Sequence, residues 1–182
     1  MTAESPAVYP EPEPTGAEFP TLLAYLDRQR ATFAWKICGL DAGQLQATLP
    51  PSRMTLGGML KHLARFENDM THEWILGQEQ VAPWNAVDWE TDHEWDWRTA
   101  LEESPEALYS RWHEAVSQSR EVVDRILRGE IGPEATAGLR YVLVNMIEEY
   151  ARHNGHADLI RESIDGLVGH DPPQEMATSL GD

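Results

Sequence analysis

Apolar side chains recur at helical spacing in four stretches of the chain, and no stretch shows a convincing strand alternation. In the first, Leu22, Leu23, Leu26, Arg30, Phe33 and Ile37 mark one helix face, and Gly39 supplies a stop. The paired prolines Pro50 and Pro51 then forbid continuation of a helix. Thr55 is placed as the N-cap of a second helix running to Gly77, with Leu56, Met59, Leu63, Phe66, Met70 and Trp74 on its apolar face. A third helix opens at Ser104 and Pro105, an N-cap followed by proline at the first helical position. Its inward side reads Leu108, Trp112, Ala115, Val116, Ser119, Val122, Val123 and Ile126, ending near Leu127. Residues 129–137 read as a turn, and a fourth helix runs from about Leu139 to Ile164, with Gly166 behind it.

Four amphipathic helices without strands or repeats predict an all-α fold, a four-helix bundle. The connection between helices two and three, residues 77–104, holds Trp84, Trp89, Trp95 and Trp97. Loops of that length are uncommon unless they act or pack as a unit. It is long enough to cross the bundle, so an up-down-down-up order stands beside the simple up-down one. The expected organisation is an extended acidic, Pro-rich arm over residues 1–17, the bundle over 18–170 and a polar tail over 171–182.

Composition narrows the function. The chain has 182 residues, 41% of them hydrophobic, enough for one well-formed core. Its net charge of −17 would repel nucleic acid and anionic membranes, where binding begins with basic side chains neutralising phosphate. No apolar run reaches the ~18 residues of a membrane span, and the N-terminus lacks the basic head and apolar stretch of a secretory signal. Cys38 is the single cysteine, so no intramolecular disulfide can form. Together these point to the reducing cytoplasm.

Candidate chemistry lies on the fourth helix. Glu149, His153 and His156 fall within an arc of roughly 60° on a helix turning ~100° per residue. The same stripe continues as Ile160, which points it inward. Imidazole and carboxylate are ordinary zinc ligands, and a third can come from a facing helix. His62, between Met59 and Phe66 on the apolar face of helix two, is the natural third ligand, because an unpaired imidazole there would be costly. Two histidines and a glutamate leave a tetrahedral zinc one position open to water or substrate. His156 is then a ligand, a donor behind the ligands or a substrate contact.

Plainer readings exist for each residue. His62 alone reads as a hydrogen-bonded core histidine, Glu149 as the solvated edge beside Glu148, and His153 with His156 as an exposed polar face. The tryptophans either wall the metal cavity or anchor the crossover, and anchoring is the expectation. His72 is expected to face solvent, and His93 is the outside choice for a fourth protein ligand. Cys38 is expected to be a small buried residue. A ferritin-like di-iron centre is excluded, because it needs Glu-x-x-His on two helices and the one such spacing here, Glu90 to His93, falls in the loop.

The segments TLGGMLKHLARFENDMTHEW, PWNAVDWETDHEWDW and EEYARHNGHADLIRESIDG resemble the DinB-like (YfiT-like) superfamily over roughly residues 19 to 168. The nearest likeness is to the branch around the N-terminal domain of mycothiol-dependent maleylpyruvate isomerase. The resemblance implies a four-helix bundle holding a divalent metal, zinc or nickel, through three ligands. These map onto His62 on the second helix and onto Glu149 and His153, four apart on the last. Aligning Gly155 leaves His156 beside the metal, where many relatives carry glutamine; a shift of one turn would make His153 and His156 both ligands. It further implies a thiol-dependent enzyme, an isomerase or S-transferase using mycothiol, bacillithiol or glutathione on a small electrophile. It also implies a possible homodimer. The isomerase carries a further C-terminal domain that this chain is too short to hold, which argues against the isomerase reaction itself. The rival reading is a non-enzymatic metal- or ligand-binding stress-response bundle. A third has no metal, with the polar residues paired to one another in the core.

Overall fold

The four apolar stripes become four long helices in a computed structural model, which describes residues 11–172 except the side chains of residues 136 and 137. They are α1 (Glu18–Ile37), α3 (Leu56–Asn68), α5 (Pro105–Leu127) and α6 (Pro133–Asp165). Two short helices, α2 (Ala42–Leu45) and α4 (Trp95–Thr99), lie in the connections, and the described residues contain no strand. Thr55 caps α3 by accepting from Gly58 N at 3.0 Å, and Ser104 caps α5. Gly39, Gly77 and Gly166 close their helices at positive φ.

Contacts fix the helix directions. Along α1 and α6 the partners rise together: Glu18 with Arg140, Gln29 with Asn154, and the carbonyls of Lys36 and Cys38 with Arg161. These two helices are therefore parallel. Against α5, α1 runs the other way, pairing Asp27 with Arg120 and Phe33 with Trp112. Helices α3 and α6 are also antiparallel, since His62 meets Glu149 while Trp74, beyond it, stacks on Tyr141. The order is up-down-down-up.

One buried network takes a side chain from each long helix. Arg30 of α1 donates to both oxygens of Glu67 on α3, at 2.8 and 2.6 Å. Tyr150 of α6 donates its phenol to Glu67 at 2.7 Å, and Trp112 of α5 donates to the Tyr150 oxygen at 2.8 Å. Burying these charges is tolerable only because every one has a partner. Around them pack Phe33, Leu60, Leu63, Val116, Leu143 and Met146.

Because α3 and α5 run the same way, residues 76–104 must return along the length of α3. They do so as a strap. Gln80 donates to Asp69 at 2.8 Å, Trp89 covers the Arg65 guanidinium at 3.9 Å, Asp96 reaches His62, and Thr99 accepts from Lys61 at 2.6 Å. Trp84 is buried and meets Trp95 edge-on, so the strap has an aromatic core of its own.

Several expectations are corrected. Asp41 and Gln44 form a reciprocal capping box that starts α2 between Gly39 and the paired prolines, where no helix is expected from the sequence. Helix α6 begins at Pro133 rather than near Leu139, because proline at the first helical position costs no hydrogen bond. Helix α3 continues from Asp69 to Ile75 as a π-helical segment. The wider turn rotates the following side chains around the axis. Trp74, placed inward from the sequence, is consequently half exposed. His72, placed in solvent, is half buried with Nδ1 3.1 Å from the Asn68 amide. Cys38 caps α1 and is half buried.

Of the Pro-rich arm, residues 11–17 reach α1 through a turn at Pro14 and Thr15, with Glu11 paired to Arg28. The rest of the arm, residues 1–10, and the tail from residue 173 lie outside the described residues. No helix among the described residues is long and apolar enough to cross a membrane.

Candidate metal centre

Helix α3 presents His62 to α6, and the four-residue spacing of Glu149 and His153 puts both on the facing stripe. His62 Nε2 lies 3.2 Å and His153 Nε2 3.1 Å from the same Glu149 oxygen. One ligand atom from each of the three residues falls within 4.8 Å of the others. His153 is buried, while His62 and Glu149 are partly so, which leaves one open side.

Behind His62, Nδ1 lies 3.0 Å from Oδ2 of Asp96, a fully buried carboxylate. That oxygen also accepts from Arg65 at 3.2 Å, and Oδ1 accepts from the Trp97 backbone at 3.0 Å. The Trp97 indole stacks on His62, ring centroids 5.0 Å apart, and stands 5.7 Å from His153. His156 is half buried on the turn after His153, their centroids 5.5 Å apart, and lies outside the convergent group. Nδ1 of His153 and of His156 are both buried without a hydrogen-bond partner. His93, the outside choice for a fourth ligand, is exposed on the strap.

The electrostatics favour positive charge at the centre. Hydrogen bonds from His153 and then His62 hold the Glu149 carboxyl well below the usual carboxylate range. At His62 burial alone would lower the pKa, but Asp96 and Glu149 outweigh it and the value is raised. The Asp96 carboxyl is lowered even though burial opposes it, through His62 and Arg65. A neutral His62 that gives its one N–H to Asp96 turns a lone pair on Nε2 toward the Glu149 carboxylate. Two acceptors facing each other need a shared proton or a cation between them. With two imidazole nitrogens and a carboxylate oxygen, the donor set has the chemistry that zinc takes.

The sequence profile of the Mycothiol-S-transferase family matches residues 21–166, which span all four long helices and the strap. The chain belongs to that family. No curated protein and no solved structure matches it significantly. As in the expectation drawn from its motifs, this is a DinB-like family.

Asp96 is the site residue that sequence reading missed. The apolar stripes that reveal ligands on helices say nothing about a carboxylate inside a tryptophan-rich connection. The available signal was the Trp95-Asp96-Trp97 run itself, an acidic residue between two aromatics, which is an expensive place for an unpartnered charge.

Proposed function

We propose that His62, Glu149 and His153 hold a divalent cation, zinc in the first instance and nickel as the alternative, and that the protein transfers a mycothiol-type thiol to a small electrophile. One observation carries the metal reading: two imidazole nitrogens and a carboxylate oxygen converge from two helices on one point. Family membership supports the thiol. Bound there, the ion supplies Lewis acidity that lowers the pKa of a coordinated thiol and favours thiolate at neutral pH.

The chain's own residues do the rest. Glu149 brings the negative charge that balances the cation, and the buried ring of His153 keeps water from one side. Trp97 covers the face of His62 and excludes water from a second side. His156, its pKa lowered by burial, adds a neutral ring beside His153, with Nδ1 buried and without a partner. On this reading the ring holds a polar group of the thiol. The reading extends to the cytoplasm, where a reduced thiol is kept, and to a homodimer, which sedimentation would test.

The experiment is metal analysis of protein purified without an affinity tag, followed by assay with mycothiol and a haloaromatic electrophile. About one equivalent of metal and thiol-dependent turnover is expected. Metal retained with no turnover across several thiols would replace the transferase with a binding protein, and protein that neither retains nor takes up metal would remove the site.

A further inference from the structure

We infer that Asp96, together with Trp97, positions His62 for metal binding, so that the connection between α3 and α5 is part of the centre rather than only a tether. This rests on the metal reading above. The evidence is how the carboxylate is spent. Asp96 is wholly buried, in a strap that is already fastened by Trp84 and Trp95. Anchoring would be served as well by an apolar side chain, without the cost of desolvating a charge. Arg65 does not require it either, because its Nε already pairs with Asp69 at 3.1 Å. For His62 Nδ1, by contrast, Asp96 is the hydrogen-bond partner, at 3.0 Å.

A carboxylate there fixes the tautomer. With the proton held on Nδ1, the lone pair on Nε2 is directed at Glu149 and His153, and the ring becomes a stronger donor. Trp97, the next residue, lies nearly parallel to the ring at 27° and fixes its tilt. It reaches that position only because α3 carries glycine one turn before His62. A Cβ at Gly58 would stand 2.5 Å from Trp97 Cε3, closer than atoms pack. Gly58, His62, Asp96 and Trp97 thus form one unit, and the glycine in the first turn of α3 is accounted for.

The test is a zinc competition titration against a chelating dye, on the full-length tag-free protein, for wild type, Asp96→Ala, Asp96→Asn and His62→Ala. Asp96→Ala is expected to weaken zinc binding by about 10- to 100-fold, with Asp96→Asn in the same direction and smaller. Long-range proton–nitrogen NMR of the metal-free proteins, at a pH where the ring is neutral, should show His62 held as the Nδ1–H form in wild type and losing that fixed form in Asp96→Ala and Asp96→Asn, a signature that a merely structural aspartate would not alter. If Asp96→Ala fails to fold, Asp96→Asn decides. Folded protein binding zinc within about threefold of wild type overturns the positioning role, and a larger loss supports it. His62→Ala separates the two layers: should it bind zinc as wild type does, the metal reading itself fails.

Discussion

Tyr150 donates its phenol to Glu67 at 2.7 Å, which ties the residue beside Glu149 on α6 to the residue five places after His62 on α3. The register of the two helices that carry the candidate ligands is therefore set within the core, next to the site. Phenylalanine at 150 would leave a buried carboxylate oxygen and the Trp112 N–H each short of a partner. Tyr150→Phe is expected to cost about 1–3 kcal/mol in urea unfolding. Glu67→Ala, which strands Arg30 in the core, should cost more, about 3–5 kcal/mol.

Zinc should raise thermal stability by mass action, about 2.7 kcal/mol at a free concentration 100 times Kd. Scanning calorimetry with zinc and with a chelator measures this. His62→Ala, Glu149→Ala and His153→Ala should each abolish most of the increment. A chelator without effect on the melting temperature of metal-loaded wild-type protein would speak for polar residues that only pair with one another.

Proton and metal compete for His62, so the two forms should respond to pH in opposite directions. The folded pKa of His62 is raised. Its contribution is fully present below its unfolded value of about 6.5 and is lost as pH rises through the folded value. Glu149 is lowered, so its contribution is present above its ordinary carboxylate value and is lost as pH falls through the folded one. Metal-free protein should therefore draw most stability from this cluster between about pH 4.5 and 6.5, and lose some of it above. Zinc requires the neutral ring, so the zinc-dependent increment should grow over the same rise. Melting curves across pH with and without chelator test both slopes, and His62→Ala should flatten the metal-free one.

Two glycines should respond to alanine with opposite signs. Gly155 is exposed on α6 and has open space around its Cβ position, so Gly155→Ala should stabilise by about 0.5–1 kcal/mol through helix propensity alone. Gly58→Ala, in the first turn of α3, gains less propensity and drives a methyl into Trp97. A net loss of about 1–3 kcal/mol is expected, with a change in tryptophan fluorescence. Equilibrium unfolding of the two variants side by side gives the contrast directly.

The sequence disclosed most about helices whose one face meets a core. The stripe from Leu108 to Ile126 and the caps at Thr55 and Ser104 were legible because period and capping chemistry are local. His62, Glu149 and His153 were legible for the same reason, as polar residues on apolar stripes. What escaped was set by the strap. It covers the second side of α3, and so buries Lys61 and Asn68, which no single-face pattern predicts. The π-helical segment likewise turned Trp74 outward and His72 inward, since widening of a helix depends on packing and leaves no periodic trace. Lys36, buried on α1 beside Trp35, was hidden by α6 and its partner Asp158.

Two neighbouring helices that point the same way oblige the chain to travel back between them, and here the homeward path lies against His62 and His153. The long helices can then stay constant while the parts of this passage away from Asp96 and Trp97 are lengthened, shortened or resequenced. On the function proposed here, selectivity for an electrophile becomes adjustable in a stretch of fewer than thirty residues, with the buried Arg30, Glu67, Tyr150 and Trp112 network untouched.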